Sequence, residues 1–222
     1  PEHGYYAIKD YTTHMKMFAF LSKQYPGVRK SLHAGELTMG IVTPENLTFH
    51  INQAVHIAHA DRIGHGVDIS YEHNAKQLLQ YMAQHHILVE INLTSNADIL
   101  GVKGKVHPLH LYLENHVPVA LSTDDEGILR TDLNQQYKIA IMQQHVSYHT
   151  LKQMDRNSLT YSFLPGKSLW ANAEDALPVK ACSAVVPGSQ PDASCQSFLA
   201  TSLKARLQWR LEKKLRAFEA RI

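Results

Sequence analysis

Polar, chemically able residues recur along this chain at an almost fixed interval, each time directly after a short apolar run. His33, His65, Asn92 and Asp124 are separated by 32, 27 and 32 residues. Each interval holds one helical pattern and one short strand pattern. The strand candidates are Val28–Leu32, Asp61–Ile63, Ile87–Leu93 and Val117–Leu121. A βα repeat of this length requires parallel strands joined by right-handed crossovers. In parallel α/β folds the chemistry gathers beyond the C-terminal ends of the strands, which is where all four polar clusters fall.

The helix candidates follow the same logic. Asp10 is the expected N-cap of a helix ending near Gln24, where Pro26-Gly27 stops it. Thr43-Pro44 opens a second helix expected to run to about Ala60, with proline at the first helical position. Further helices are expected over 74–84, 109–115 and 132–144. The repeat ends near residue 165. Residues 166 to 199 are rich in Ser, Ala, Pro and Gly and read as a long loop. From Thr201 to Ile222 a basic amphipathic helix is expected, with Leu203, Leu207, Leu211 and Leu215 along one side. Two domains result, 1–165 and 166–222. Four strands in 165 residues are half of an eight-stranded barrel, which needs about 250 residues.

Composition narrows the function classes. Of 222 residues, 44% are hydrophobic and 19% charged, enough for a packed core. The net charge of +2 argues against a nucleic-acid-binding surface. No run approaches the ~18 apolar residues of a membrane span, so neither nucleic acid nor membrane is an expected partner. Two cysteines make no disulfide framework, whereas fifteen histidines favour metal or proton-transfer chemistry.

Three clusters carry that chemistry. In His33-Ala34-Gly35-Glu36, an imidazole stands three residues from a carboxyl group, with a glycine that permits a tight turn. Alone, this could be a strand-end histidine and a helix-capping glutamate. In Gly64-His65-Gly66, bare backbone flanks a histidine and lets a ligand approach; a solvent-facing turn would read the same. In Ser122-Thr123-Asp124-Asp125, two adjacent carboxylates at a strand end need a cation or hydrogen bonds to offset their repulsion; an Asp-rich N-cap near Gly127 is the alternative. Together, at one barrel mouth, they describe a mononuclear metal hydrolase.

These motifs, in this order and spacing, resemble the adenosine deaminase family. Glu90-Ile91-Asn92-Leu93-Thr94-Ser95-Asn96, His107-Pro108 and Asn157–Phe163 fit as well. The resemblance covers about residues 30 to 165 and is nearer to the secreted, growth-factor-related branch. It implies a zinc-dependent (β/α)8 barrel that deaminates adenosine or 2'-deoxyadenosine to inosine. By resemblance, His33 and Asp124 are zinc ligands and Glu36 protonates purine N1. His65 orients or deprotonates the water that zinc activates, and Asp125, with Gly35, binds the purine. The chain departs from the family in lacking a His-x-His on a first strand, the source of two further ligands. It begins at Pro1-Glu2 and reads as strands five to eight plus an extension. An N-terminal half, covalent or as a separate chain, is therefore the expected partner, and an oligomer is open. Cys182 and Cys195 are expected to pair if the protein is exported and to be free thiols if it is cytosolic; the branch resemblance favours export. The competing readings are a deaminase of another aminopurine, a binding or signalling protein on the same fold, and a different metal hydrolase.

Overall fold

The computed structural model describes residues 2–222, and these divide into two compact units, one up to Ser147 and one from Tyr148 to Ile222. The boundary expected at 165/166 falls inside the second unit. The helix preceding it, α8 (Tyr148–Thr160), packs against the C-terminal helix α10 (Leu203–Glu219).

The first unit is built on four parallel strands in sequence order: β1 (Ser31–Ala34), β2 (Arg62–His65), β3 (Leu88–Ile91) and β4 (Val119–Leu121). The registers pair His33 with Gly64, Gly64 with Glu90, and Glu90 with Ala120. Strand periodicity gives the sheet two faces of opposite chemistry. Ile63, Val89, Ile91 and Val119 are buried. On the other face Glu90 Oε1 accepts hydrogen bonds from Ser31 Oγ and Arg62 Nε, both at 2.8 Å. His33, two residues beyond Ser31, shares that face. A four-stranded parallel sheet in sequence order with helical crossovers matches part of a (β/α)8 barrel.

Helices α1 (Tyr5–Gln24), α2 (His50–His56), α3 (Ala75–Gln84), α4 (Leu93–Leu100), α5 (Leu109–Glu114), α6 (Glu126–Leu129) and α7 (Leu133–Met142) complete this unit. Several differ from the sequence expectation. α1 starts at Tyr5 with Gly4 as N-cap, so Asp10 lies inside it; Ile8 N already bonds Gly4 O. The helix expected from Thr43 to Ala60 is a 3-10 turn, Pro44–Leu47, followed by α2. The Thr48 hydroxyl bonds back to Glu45 O and Phe49 leaves helical geometry. The sequence marks no helix where α4 forms, between the strand ending near Leu93 and the helix near Leu109. In α4, Leu93, Ser95, Asn96 and Leu100 are buried, and Gly101 closes it at φ +69°.

The second unit is not a loop and a helix. Residues 170–178 form a two-stranded antiparallel ribbon, β5 (Trp170–Asn172) with β6 (Leu177–Pro178). Asp192 caps α9 (Ala193–Thr201) by accepting from Cys195 N. Cys182 and Cys195 are joined by a disulfide inside a core of Leu169, Trp170, Leu199, Ala205 and Trp209. The buried side of α10 is Lys204, Ala205, Gln208, Trp209, Glu212 and Leu215, not the four-leucine row. A four-residue step overshoots a 3.6-residue turn, so that row winds off the buried stripe. Buried polar members find partners. Glu212 takes a bidentate pair from Arg156 at 2.7 and 2.9 Å, and Lys204 Nζ donates to Thr160 O and Ser162 O. Among the described residues no helix is long and apolar enough to cross a membrane.

Candidate metal and catalytic site

At the C-terminal ends of β1, β2 and β4 the expected residues converge. Ligand-capable atoms of His33, His65 and Asp124 all lie within 4.8 Å of one another. His65 Nε2 is 3.7 Å from Asp124 Oδ2 and 3.9 Å from Glu36 Oε1. The rings of His33 and His65 stand 5.1 Å apart. Alternation along β2 would put His65 on the side of Ile63. A left-handed backbone at His65 (φ +71°) breaks that alternation and delivers the ring to His33. Asp124 also takes this rare conformation, at φ +56°. Such strain outside glycine concentrates at functional sites.

A cleft of about 730 Å³ opens here, with His33, Glu36, Asp124, Asp125 and Tyr11 in its lining. That is within the usual range for small-molecule pockets. His33 is exposed to the cleft, whereas Glu36 and His65 are buried. Asp125 shares the lining but is more exposed, and it is the N-cap residue of α6 without a side-chain cap bond. Its expected second reading, an Asp-rich helix cap, is therefore met in position only.

Gly35 makes the tight turn expected of it, and its backbone groups are engaged. Its N–H donates to Glu2 Oε1, and its carbonyl accepts from Val67 N and Asp68 N. Its φ is +76°, and a Cβ would stand 2.4 Å from Asp68 Oδ1, so only glycine fits the turn. Glu2 is a functional residue that sequence reasoning missed. Its carboxylate takes N–H bonds from Gly35 and Glu36, at 2.9 and 2.7 Å, and His50 Nδ1 lies 2.5 Å from Oε1. Tyr11 stacks on His50 at 3.9 Å and donates to His50 O at 3.2 Å.

Burial sets the protonation of the central pair. It raises the Glu36 carboxyl above its ordinary range, and Asp124 and Glu2 push the same way against His33. Burial also lowers the His65 imidazole to about 4, with Asp124 opposing. A carboxyl shifted upward beside an imidazole shifted downward is a pairing suited to proton donation in hydrolysis. Behind His65 stand Asn92, which the repeat marked, and Asn96 and His107, which the sequence offered only as part of the resemblance; all three are buried.

Residues 5–172 match the family described as "Adenosine deaminase". The chain belongs to the adenosine deaminase family. An adenosine deaminase of Vibrio cholerae is 33% identical over 139 residues, 62% of this chain and 38% of that protein. Among solved structures, an adenine deaminase from Arthrobacter aurescens superposes with a TM-score of 0.56 at 19% identity. It is matched over 69% of this chain and 43% of its own. An amidohydrolase from Burkholderia ambifaria, described with bound Zn, gives a TM-score of 0.53 at 20% identity, over 64% and 37% of the two chains. The chain thus spans about two fifths of the length of these deaminase-family proteins.

The family is metal-dependent, and the donors fit a metal. Two imidazoles and a carboxylate are borderline-hard ligands of the kind zinc takes. The exposed His33 ring offers such a donor directly to the cleft.

Proposed function

We propose that this protein takes part in the zinc-dependent hydrolytic deamination of an aminopurine nucleoside, adenosine first, to inosine and ammonia. The observation that carries the reading is the placing of both Glu36 and Asp124 within 4 Å of His65 Nε2, with His33 beside them, at one sheet end. His33 and Asp124 would hold the metal. Zinc, when bound, supplies an activated water and Lewis acidity. Glu36, whose carboxyl burial shifts toward the protonated form, would give its proton to purine N1 and so make C6 electrophilic. His65 would hydrogen-bond the oxygen that attacks C6. Asp125 would contact the ring at N7; of the attacking water's two protons, one would pass to the amino group, which leaves as ammonia, and the other would restore Glu36.

Two further ligands and the rest of the barrel would come from polypeptide outside these residues. The coverage of the relatives supports this, as does the apolar side of α1, where Tyr5, Tyr6, Met17 and Phe20 are exposed. A second reading, deamination of adenine or another aminopurine, is favoured by the likeness to the Arthrobacter adenine deaminase.

The test is the ultraviolet shift from adenosine to inosine on the full-length protein, with and without a zinc chelator, and with intact masses recorded. Adenine and an N6-substituted nucleotide are run in parallel. Chelator-sensitive turnover of adenosine is expected. Turnover of adenine alone would move the assignment to the second reading. No turnover by complete, zinc-loaded protein would overturn both and favour a binding protein on the deaminase fold.

A further inference from the structure

The two ring nitrogens of His65 face opposite surroundings. Nε2 lies near Asp124 and Glu36, which line the cleft. Nδ1 lies 3.0 Å from Asn96 Nδ2. Which nitrogen carries the hydrogen is decided outside the cleft, by a chain of hydrogen bonds with one fixed end.

That end is the backbone of Leu109, the first residue of α5. The opening N–H groups of a helix have no partner within it. Leu109 N–H donates to His107 Nδ1 at 3.1 Å. A backbone N–H can only donate, so His107 Nδ1 is bare, and neutral imidazole then carries its hydrogen on Nε2. This Nε2–H donates to Asn96 Oδ1 at 2.9 Å. The oxygen of Asn96 is thereby held toward His107 and its amide nitrogen toward His65. An amide nitrogen also can only donate, so His65 Nδ1 accepts and its hydrogen sits on Nε2. Asn92 Nδ2 lies 3.3 Å from both ring nitrogens and so favours neither. Asn96 is fully buried and His107 is 3% exposed, which keeps bulk water from reorienting the amide.

We propose that Asn96 and His107 are positioning residues that lock His65 in the Nε2–H tautomer, making it a hydrogen-bond donor toward the cleft. Two consequences follow. A nitrogen that carries hydrogen cannot ligate a metal, so His65 leaves the donor set that its distances to His33 and Asp124 would otherwise suggest. Nor can that nitrogen take up a proton. The task left to it is donation to the attacking oxygen, a bond that strengthens as charge grows there. Of the roles implied by resemblance, orientation is thus favoured over deprotonation. The catalytic half of the proposal rests on the deaminase reading; the tautomer does not.

The experiment uses full-length, zinc-loaded protein with 15N-labelled histidine. Long-range 15N–1H spectra read the tautomer of His65, and steady-state kinetics and zinc content are measured on the same samples. Asn96→Asp is the directional variant. Its carboxylate still accepts from His107, but toward His65 it can only accept, so the tautomer should invert to Nδ1–H. We expect kcat to fall roughly 100-fold, the scale for loss of one transition-state donor, with KM and zinc content little changed. Asn96→Ala removes the donor without reversing it and should lose less. A packing role would give the opposite order, because alanine leaves a cavity and aspartate does not. Nδ1–H or doubly protonated His65 in the wild type overturns the proposal by itself, whether or not either variant folds. Unchanged kcat in Asn96→Asp with an inverted tautomer overturns the catalytic half. Absence of any aminopurine turnover by the wild type overturns the deaminase reading and that half with it, while the wild-type spectrum still decides the tautomer.

Discussion

Glu2 accepts the backbone N–H of Glu36 at 2.7 Å across 34 residues of chain, and this bond joins the first described residue to the proposed proton donor. The same carboxylate holds Gly35 N–H, so the peptide that aims Glu36 is gripped at two points. Substituting Glu2→Ala strands both N–H groups in a buried turn. Each orphaned donor costs about 1–3 kcal/mol. Lower stability in urea and a lower kcat are expected together, with Glu2→Gln intermediate because one oxygen remains to accept. An unfolding midpoint and kcat both equal to wild type would show that Glu2 braces nothing.

Gly35→Ala tests the turn from the other side. The new methyl would meet Asp68 Oδ1 at 2.4 Å and Ile51 Cδ1 at 2.8 Å, at φ +76°. Asp68 is buried, with both carboxylate oxygens lacking a hydrogen-bond partner among the described residues. Left-handed strain alone costs about 1–2 kcal/mol, and the overlap adds to it. Denaturant unfolding should show a loss of at least that size, whereas Gly27→Ala, with nothing within 4 Å of a Cβ, should be near neutral.

The period of the polar clusters revealed the strands and their order because a βα unit has a characteristic length and its active ends share one edge. His33, Glu36, His65 and Asp124 could be placed from that alone. Glu2 could not, since a glutamate beside a glycine has no local pattern that announces a contact 34 residues away. α4 was obscured by Thr94-Ser95-Asn96, which resembles a loop; Gly101, taking the left-handed C-cap, was the signal available. Leucine spacing misled on α10, whose buried face includes Lys204, Gln208 and Glu212. Their burial depends on partners such as Arg156 and the Thr160 carbonyl, and a hydropathy pattern does not register these.

Stability should depend on pH through His107. Burial, with His110 adding to it, lowers its imidazole to about 4, against about 6.5 when unfolded. Between those values the unfolded chain binds a proton that the folded one refuses, so stability falls as pH drops from 6.5 toward 4. A shift of this size corresponds to about 3 kcal/mol. His65 acts with the same sign. The buried carboxyls of Glu36, Asp68 and Glu72 act oppositely. Their values are raised by burial, so their contribution is full at low pH and lost as pH climbs above the ordinary carboxylate range. Urea titrations at pH 7 and pH 5 should therefore show a smaller acid loss for His107→Gln than for wild type. Equal losses would mean that His107 is protonated or solvated in the folded state.

The disulfide between Cys182 and Cys195 should matter for the second unit chiefly through its unfolded chain. The two residues are 13 apart, and in the chain-entropy account closing so short a loop stabilises by about 3 kcal/mol. Both sulfurs are fully buried in the core formed by Trp170, Leu199 and Trp209. A reductant therefore reaches them only when that core opens. With reductant and alkylating agent together, labelling under native conditions should be slow and should track unfolding of residues 148–222, while with denaturant added both cysteines should be reduced and label at once. Cys182→Ala with Cys195→Ala should lower the midpoint for this unit by more than the reductant does on a short exposure. The packed volume and the cross-link are then lost together, whereas brief reductant treatment leaves most molecules still bridged. Immediate native-state labelling would place the bond at the surface and remove the basis for this ordering.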